Sequence, residues 1–137
     1  MRSFFIDTNI IIDLLADTDP YSKFAIQLLE AAEEKKINLY TSSHSIATAY
    51  YILKKLIDEK TLRQALDNLI DIVHPIAIDL RILKRALKSN HPDLEDAIQI
   101  SAASTLSQIS YIITRNIKDF KNSDIQAIAP DQAVNMI

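Results

Sequence analysis

The sequence predicts a parallel α/β fold, and three observations lead to this prediction. Short apolar runs of strand length alternate with stretches in which apolar residues recur at helical spacing. The connections between them are short, and no hairpin signal joins any two apolar runs. Helices therefore cross between parallel strands, with right-handed connections by default. With 137 residues and 48% hydrophobic content, we expect one domain, residues 1–137, with a packed core.

Five apolar runs are predicted as strands. The first has no polar interruption after Ser3, which is typical of a strand covered on both faces of a parallel sheet. Pro75 lacks a backbone donor, so its strand is expected at a sheet edge, or Pro75 at a strand start. The predicted strands are Arg2–Ile6, Ile37–Tyr40, Val73–Ile78, Ser110–Thr114 and Asp124–Ile128.

Seven segments are predicted as helices. Asp79 is expected to cap the fifth, and Pro130 to begin the last. The spacing places Leu56 in the buried stripe of the third helix, and Leu94 and Thr105 on the inward face of the sixth. The predicted helices cover residues 10–15, 21–35, 43–57, 60–70, 80–87 and 93–108, with a short terminal helix from residue 130.

The composition excludes several classes of function. The chain contains no Gly, which removes the glycine-dependent phosphate loops, and nucleotide cofactors are not expected. It contains no Cys, which excludes disulfides and thiolate metal sites and fits a reducing compartment. No apolar run approaches the length of a membrane span, and the first residues do not resemble a signal peptide. We therefore expect a cytoplasmic protein that does not associate with membranes.

The net charge of −3 argues against broad, sequence-independent attraction to nucleic acid. A local basic surface remains open, because three small clusters of Lys and Arg could line one groove. Each cluster alone is typical of an ordinary solvated helix face. The clusters are Lys54 with Lys55, Lys84 and Arg85 with Lys88, and Arg115 with Lys118 and Lys121.

A polar corner, Asp7-Thr8-Asn9, directly follows the first strand. In open parallel sheets, ligands bind outside the carboxyl ends of the strands, where Asp7 would lie. Asp and Thr are also common helix caps, so a purely structural role for Asp7 or Thr8 is equally compatible with the pattern. The corner alone does not decide between the two.

Three acids, Asp93, Glu95 and Asp96, fall in the first turn of the sixth helix. The helix dipole stabilises each by about 0.3–1 kcal/mol. Two carboxylates about 4 Å apart repel by roughly 4 kcal/mol at an effective dielectric constant of 20. If the acids converge, a divalent cation would cancel that repulsion; if they are exposed and splayed, they need no metal.

The third polar segment, Thr114 to Phe120, follows the fourth strand and contains Asn116 and Asp119. Because the carboxyl ends of parallel strands share one edge, Asp7, Asn116 and Asp119 can approach Asp96 there. Several oxygen ligands without Cys are typical of a site for Mg²⁺ or Mn²⁺. Such a site supports hydrolysis of phosphodiester bonds.

At these residues the sequence resembles the PIN-domain family, the metal-dependent ribonucleases that include the VapC-like toxins of bacterial toxin–antitoxin pairs. The resemblance spans essentially the whole chain, with its three motifs in the family's order. The motifs are Phe5-Ile6-Asp7-Thr8-Asn9, Asp93-Leu94-Glu95-Asp96-Ala97 and Thr114-Arg115-Asn116-Ile117-Lys118-Asp119-Phe120.

The resemblance implies a three-layer α/β/α sandwich with a mostly parallel central sheet, and Mg²⁺ or Mn²⁺ as cofactor. It also implies single-stranded RNA as substrate, a cognate antitoxin in the groove and a homodimer. Asp7 and Asp96 would bind the metal, Asp119 or the Asn116 position would complete the set, and Asp93 would support it. The supporting polar residues are Thr8, Asn9, Thr48 and Asn116, and the candidate RNA-binding residues are Arg115, Lys118 and Lys55.

The sequence departs from the family at two positions. Members usually carry a Glu on the helix after the second strand, where Thr48 is the closest counterpart, and many carry Asp where this chain has Asn116. Both changes remove negative charge, so one metal ion would be held weakly. The leading hypothesis is a ribonuclease of the toxin type. The first alternative is a PIN-like module that binds RNA or a protein partner without turnover.

A second alternative is a phosphoryl-transfer domain with Asp7 as nucleophile. Phosphatases of the haloacid-dehalogenase type normally carry a second Asp two residues on, where this chain has Asn9, and receiver domains carry a pair of acids at this corner. Nucleophilic schemes based on His are also poorly supported. His44, His74 and His91 lack an acid or hydroxyl partner at a diagnostic spacing, and we expect each to be structural or exposed.

Overall fold

The computed structural model describes residues 1–137 and contains one five-stranded sheet in which every pair of neighbouring strands is parallel. The strand order is β3-β2-β1-β4-β5, which places Pro75 on an edge strand as predicted. The strands are β1 (Arg2–Ile6), β2 (Ile37–Ser42), β3 (Val73–Ile76), β4 (Ile109–Ile113) and β5 (Gln126–Ile128). The parallel α/β prediction is confirmed.

Seven α-helices connect and follow the strands, and a 3-10 helix lies between β4 and β5. None of the helices combines the length and the apolar character that crossing a membrane requires. The α-helices are α1 (Thr8–Ala16), α2 (Ser22–Glu33), α3 (Ser43–Leu53), α4 (Glu59–Ile70), α5 (Leu80–Lys88), α6 (Leu94–Ala103) and α7 (Pro130–Val134), and the 3-10 helix covers Ile117–Phe120.

Alternating residues of β1 divide the core between the two faces of the sheet. Phe4 and Ile6 pack in a large cluster with residues of α1 to α4 and α7. Phe5 points the other way and packs with Ile82 of α5 and Phe120. Both Phe rings are fully buried, and each removes enough apolar surface from water to stabilise the fold by about 1.5–3 kcal/mol. The fold is therefore a three-layer α/β/α sandwich.

Two predicted helices end earlier in the structure than the spacing indicated. The third ends at Leu53 and not at Ile57, because the chain must leave the helix before Asp58 caps α4 through the N–H of Thr61. Leu56 is consequently 75% exposed and does not belong to the buried stripe.

The sixth helix ends at Ala103, five residues before the predicted end. The hydroxyls of Ser104 and Thr105 donate to the carbonyls of Ile100 and Ala102, at 2.8 and 2.7 Å. Such side-chain bonds compete with the backbone pattern of a helix and favour its termination. Leu94 and Thr105 are exposed, so the prediction that they face inward was wrong.

A buried ion pair joins α1 to the loop that follows β4. Asp13 is 1% exposed, and Arg115 donates to it from Nε at 2.6 Å and from Nη2 at 3.0 Å. The guanidinium carbon lies 4.2 Å from the centre of the Tyr21 ring, which adds a cation–π contact. This pair holds the chain in place directly after β4.

The substitution Arg115→Met should lower the free energy of unfolding by about 3 kcal/mol, because it leaves Asp13 buried without a counter-charge. This is the lower end of the range for a broken buried pair, because the Arg115 side chain is itself 31% exposed. Urea unfolding followed by circular dichroism measures the change. The control is Arg63→Met, which removes the exposed ion pair with Glu59 and should cost less than about 1 kcal/mol. Equal losses in the two variants would contradict a structural role for the Asp13–Arg115 pair.

Candidate active site

The site lies where the strand order reverses direction. From β1 the chain moves outward to β2 and β3, and then returns to place β4 on the other side of β1. Ligands of open α/β sheets bind at such switch points, outside the carboxyl ends of the two strands. Asp7 follows β1 and Thr114 follows β4, and the Asp7 N–H donates to the Ile113 carbonyl at 2.9 Å.

Asp7 is both a helix cap and a buried acid of the site. Its Oδ1 accepts from the Thr8 N–H at 2.7 Å, and its Oδ2 accepts from the Thr114 hydroxyl at 2.8 Å and from Asn9 at 3.3 Å. The residue is only 7% exposed. Burial raises the pKa of Asp7, and the hydrogen bonds from Thr114 and Thr8 offset part of that effect. Asp7 can therefore cap α1 and at the same time serve as an acid of the site.

A network of neutral side chains lies beneath this corner. Gln99 is 2% exposed, accepts from the Ser42 hydroxyl at 2.6 Å, and donates to Ser45 and to the Thr8 hydroxyl. The Thr8 hydroxyl in turn donates to Ser45 at 2.9 Å. Sequence reasoning did not identify Gln99, although a Gln three residues after Asp96 in an otherwise apolar stripe is an unusual choice for a buried position.

A cleft of about 200 Å³, here called the acidic cleft, opens over Asp7. Asp96 enters it from α6, Thr48 from α3 and Asn116 from the loop after β4. Three segments far apart in the chain therefore meet at the shared edge of the sheet. The acidic cleft is lined by Asp7, Thr8, Asn9, Ile12, His44, Thr48, Ile52, Glu95, Asp96, Gln99 and Asn116.

A second depression, here called the lysine groove, adjoins the acidic cleft at Asp96, which lines both. Asp119, Lys118 and Lys121 reach it from the segment of the 3-10 helix. Asp119 thus lines the lysine groove and not the acidic cleft. The lysine groove is lined by His91, Pro92, Asp93, Asp96, Lys118, Asp119, Lys121 and Asn122.

Negative charge is concentrated around Asp96. Partial burial raises the pKa of Asp96 to about 7, and the carboxylates of Asp93, Asp7 and Asp119 contribute to the increase. None of these four acids takes part in an ion pair. The acids of the site therefore lie near one another without an ion-paired Lys or Arg.

The donor set suits a hard divalent cation, because it consists of carboxylate, amide and hydroxyl oxygens. Burial and the nearby carboxylates of Asp93, Asp7 and Asp119 raise the pKa of Asp96, and a bound cation would offset the repulsion between these carboxylates. No three His, Asp or Glu side chains converge closely enough to hold a metal ion as they stand. The site thus suits a divalent cation in the type of its oxygen donors and in its charge. To coordinate the cation, the acidic side chains must move closer together.

His91 joins the two acidic segments of the lysine groove. Its Nδ1 lies 3.0 Å from both the backbone nitrogen and the carbonyl oxygen of Asp93, and its Nε2 lies 2.6 Å from the Asp119 carbonyl oxygen. A carbonyl can only accept, so the contact with Asp119 requires a proton on Nε2. His91 was expected to be structural or exposed; it is half-buried and ties the start of α6 to the 3-10 helix.

The predicted RNA-binding residues occupy different surroundings. Lys118 lines the lysine groove. Arg115 binds Asp13, and Lys55 is exposed on the turn after α3 and does not line the acidic cleft. Their part in RNA binding stays a prediction.

A family model described as the PIN domain matches residues 3–118. Ribonuclease VapC1 of Aquifex aeolicus (strain VF5) is 28% identical over 133 residues, and the match covers 93% of this chain and 90% of that protein.

Solved structures agree with this result. A chain of a toxin-antitoxin complex from Klebsiella pneumoniae is 28% identical with a TM-score of 0.65, over 92% of this chain and 96% of that chain. VapBC-1 from nontypeable Haemophilus influenzae matches at 20% identity and a TM-score of 0.66, over 94% and 98%. VapBC2 from Rickettsia felis, bound to a DNA fragment from its promoter, matches at 18% identity and 0.64, over 93% and 98%. The last two establish likeness of fold alone.

The substitution Asp96→Asn should stabilise the protein in metal-free buffer, and increasingly so as the pH rises. The raised pKa means that the folded state binds more protons than the unfolded state between pH 3.8 and about 7, so wild-type stability falls as the pH rises through that window. Asn does not titrate and escapes this loss. We expect a gain of about 1 to 2 kcal/mol at pH 8, reduced from the full pKa difference because Asp96 is partly exposed.

Urea unfolding at pH 4.5 and pH 8 measures this difference. Asp67→Asn, on the exposed face of α4, is the control. The difference in unfolding free energy between this variant and the wild type should be nearly the same at both pH values. An Asp96→Asn variant that is no more stable than wild type at pH 8 would contradict the crowding of charge around Asp96.

Proposed function

Because the chain belongs to the PIN-domain family, we propose that it is a metal-dependent endoribonuclease that acts in the cytoplasm as the toxin of a toxin–antitoxin pair. One observation carries the proposal: Asp7 and Asp96, from segments 89 positions apart, line one cleft without a counter-charge. The 28% identity to a protein named ribonuclease VapC1, and to a chain of a toxin-antitoxin complex, supports the substrate class and the biological setting.

We assign Asp7, Asp96 and Asp119 to the binding of Mg²⁺ or Mn²⁺, and Asp93 to its support. When bound, the cation lowers the pKa of a water molecule and stabilises negative charge on a phosphate. The Asp7 carboxylate is held in one orientation, because the Thr8 N–H donates to one of its oxygens and the Thr114 hydroxyl donates to the other. A carboxylate oxygen of Asp93 accepts a hydrogen bond from the Asp96 N–H at 3.0 Å, and this bond orients the start of α6.

The lysine groove supplies the contact with the RNA backbone. Lys118 and Lys121 line it beside Asp119, and neither forms an ion pair with an acid of this chain. Lys side chains bind phosphate groups by charge and position a strand without reading its sequence. The backbone of an RNA strand would thus run along the groove with one phosphate over Asp96.

A second candidate function is binding of RNA or a protein partner without turnover. It is favoured by Thr48 and Asn116, which bring neutral groups to the acidic cleft where the family resemblance led us to expect acids, and by acids that do not converge closely enough to hold a metal ion. Membership of the PIN-domain family leaves no support for the phosphoryl-transfer alternative.

A protein partner is supported by the outer face of α5. Leu80, Leu83 and Leu87 recur at helical spacing and are 66%, 36% and 59% exposed. Apolar side chains in such a stripe favour burial against another chain. We assign this face to contacts between the two copies of a homodimer, and the acidic cleft and lysine groove to the cognate antitoxin.

The substitutions Asp7→Asn and Asp96→Asn should each reduce Mn²⁺- or Mg²⁺-stimulated cleavage of single-stranded RNA by at least about 100-fold, because each removes a carboxylate from the proposed metal site. Gel assays of a labelled oligoribonucleotide with purified protein measure the rate. Asp67→Asn should cleave like wild type. Undiminished cleavage in both site variants would remove the mechanism, and RNA binding without cleavage by the wild type would favour the second candidate function.

The substitution Thr48→Glu should increase Mn²⁺ affinity by about ten-fold, because charge count is a main determinant of affinity at an oxygen site. Isothermal titration calorimetry measures the change. Ala47→Glu is the matched control, since it adds the same charge one residue away on α3 but faces solvent outside the acidic cleft. Equal Mn²⁺ affinity in the two variants would show that residue 48 does not contact the metal.

A further inference from the structure

A cavity of about 420 Å³, here called the serine cavity, lies between α5, α6 and the segment before β5. Its volume is within the range of about 300–1,000 Å³ that is typical of small-molecule sites. Only two of its ten lining residues are hydrophobic, so it is not a gap in the apolar core. The polar lining includes Arg85, Ser89, Asn90, Ser101, Asn122 and Asp124.

Ser101 is the clearest sign that the serine cavity is built for a ligand. The residue is 5% exposed, and its hydroxyl forms no hydrogen bond with any other group of the protein, unlike the hydroxyl of Ser104 one turn later. Its hydroxyl remains accessible from the cavity, since the structure contains no fully enclosed polar side-chain atom without a partner. Buried polar groups are nearly always hydrogen-bonded, so Ser101 is available to a molecule in the cavity.

The serine cavity also presents one strong donor and one strong acceptor. Arg85, in the last turn of α5, offers a guanidinium that forms no ion pair, and Asp124 offers a carboxylate that forms none. Asn90 and Asn122 add amide groups that donate and accept. A ligand that matches this lining must be polar, carry no large net charge, and expose both acceptors and donors.

The serine cavity adjoins the proposed catalytic site. His91 and Asn122 line both the cavity and the lysine groove, and Asp96 lines the groove and the acidic cleft. Ser101 lies five residues after Asp96 on α6, which corresponds to about 7.5 Å along the helix axis. The three depressions are therefore neighbours, within reach of a short stretch of single-stranded RNA.

We propose that the serine cavity binds an unpaired guanine base of the substrate RNA, next to the phosphate that is cleaved. This inference rests on the proposed ribonuclease function. Single-stranded RNA is read by bases that turn out of the strand and hydrogen-bond along their edges. Guanine offers O6 and N7 to Arg85, a pairing that is common in nucleic-acid recognition, and its amino group to Asp124. Ser101 donates to or accepts from the base at the floor of the cavity.

Binding is tested with guanosine monophosphate and ¹⁵N-labelled protein in metal-free buffer, followed by NMR. Guanosine monophosphate should shift the amide signals of Asn90, Ser101 and Asn122 at lower concentration than the adenosine, cytidine and uridine monophosphates. Arg85→Met should weaken binding by about ten-fold or more, and Ser101→Ala by a few-fold. Arg81→Met, which removes an exposed guanidinium from the same helix outside the cavity, should bind like wild type.

Cleavage is tested with oligoribonucleotides that contain a single guanine at successive positions. The wild type should cut at a constant offset from the guanine, and Arg85→Met should lose this preference and cleave this RNA no faster than the wild type cleaves an oligoribonucleotide without guanine. Cleavage without regard to guanine, together with unshifted cavity amides, would overturn the inference and leave the ribonuclease proposal intact. Guanosine monophosphate binding with guanine-independent cleavage would overturn the assignment to substrate RNA in favour of a free nucleotide.

The two proposals fail in different ways. A wild-type protein that cuts no RNA would overturn the ribonuclease proposal, and guanosine monophosphate would still report on the cavity by NMR. Equal shifts from all four nucleotides, or shifts at amides outside the cavity, would overturn the guanine site whether or not RNA is cut.

Discussion

Burying a charged carboxylate is costly unless another charge compensates it. Two buried acids at the start of the chain, Asp7 and Asp13, differ in whether the protein supplies that charge. Asp13 and Asp7 are both almost inaccessible to water, at 1% and 7% exposure. Asp13 receives two hydrogen bonds from Arg115 and is neutralised within the chain. Asp7 receives only neutral donors, and burial raises its pKa. Buried charges are usually paired or coordinate metals, so the contrast supports the proposal that Asp7 is the acid that binds a cation.

The surroundings of Asp7 explain how an acid without a counter-charge persists at the centre of the sheet. Gln99, Ser42 and Ser45 are fully buried and satisfy one another beneath Thr8, so the corner is anchored by hydrogen bonds that carry no charge. A cationic anchor at this place would stabilise the fold but would neutralise the site. Stability is instead obtained further along α1, where Arg115 pairs with Asp13 and lies over Tyr21.

Much of the fold could be predicted because its determinants are local. The run Arg2–Ile6, the cap at Asp79 and the start of α7 at Pro130 depend on neighbouring residues, and the structure has them as predicted. The predicted ends of α3 and α6 were too late, because apolar residues continue at helical spacing beyond the last residue of each helix. The neutral network around Gln99 and the bridging bonds of His91 join residues 28 to 91 positions apart. Only the folded chain determines such partners, although strand-end acids indicated where they would meet.

In the proposed ribonuclease, α6 would join the metal-binding acids to the cavity that recognises the RNA. The helix begins with Asp93 and Asp96 in the charged part of the site, and Ser101 follows in a cavity that is polar but almost balanced in charge. Repulsion between the acids and an RNA backbone makes charge alone a poor source of affinity in a chain of net charge −3. Lys118 and Lys121 offset part of this repulsion in the lysine groove. A base held by hydrogen bonds one and a half turns further along α6 supplies affinity that does not depend on neutralising the acids, so the site can keep the negative charge that a cation requires.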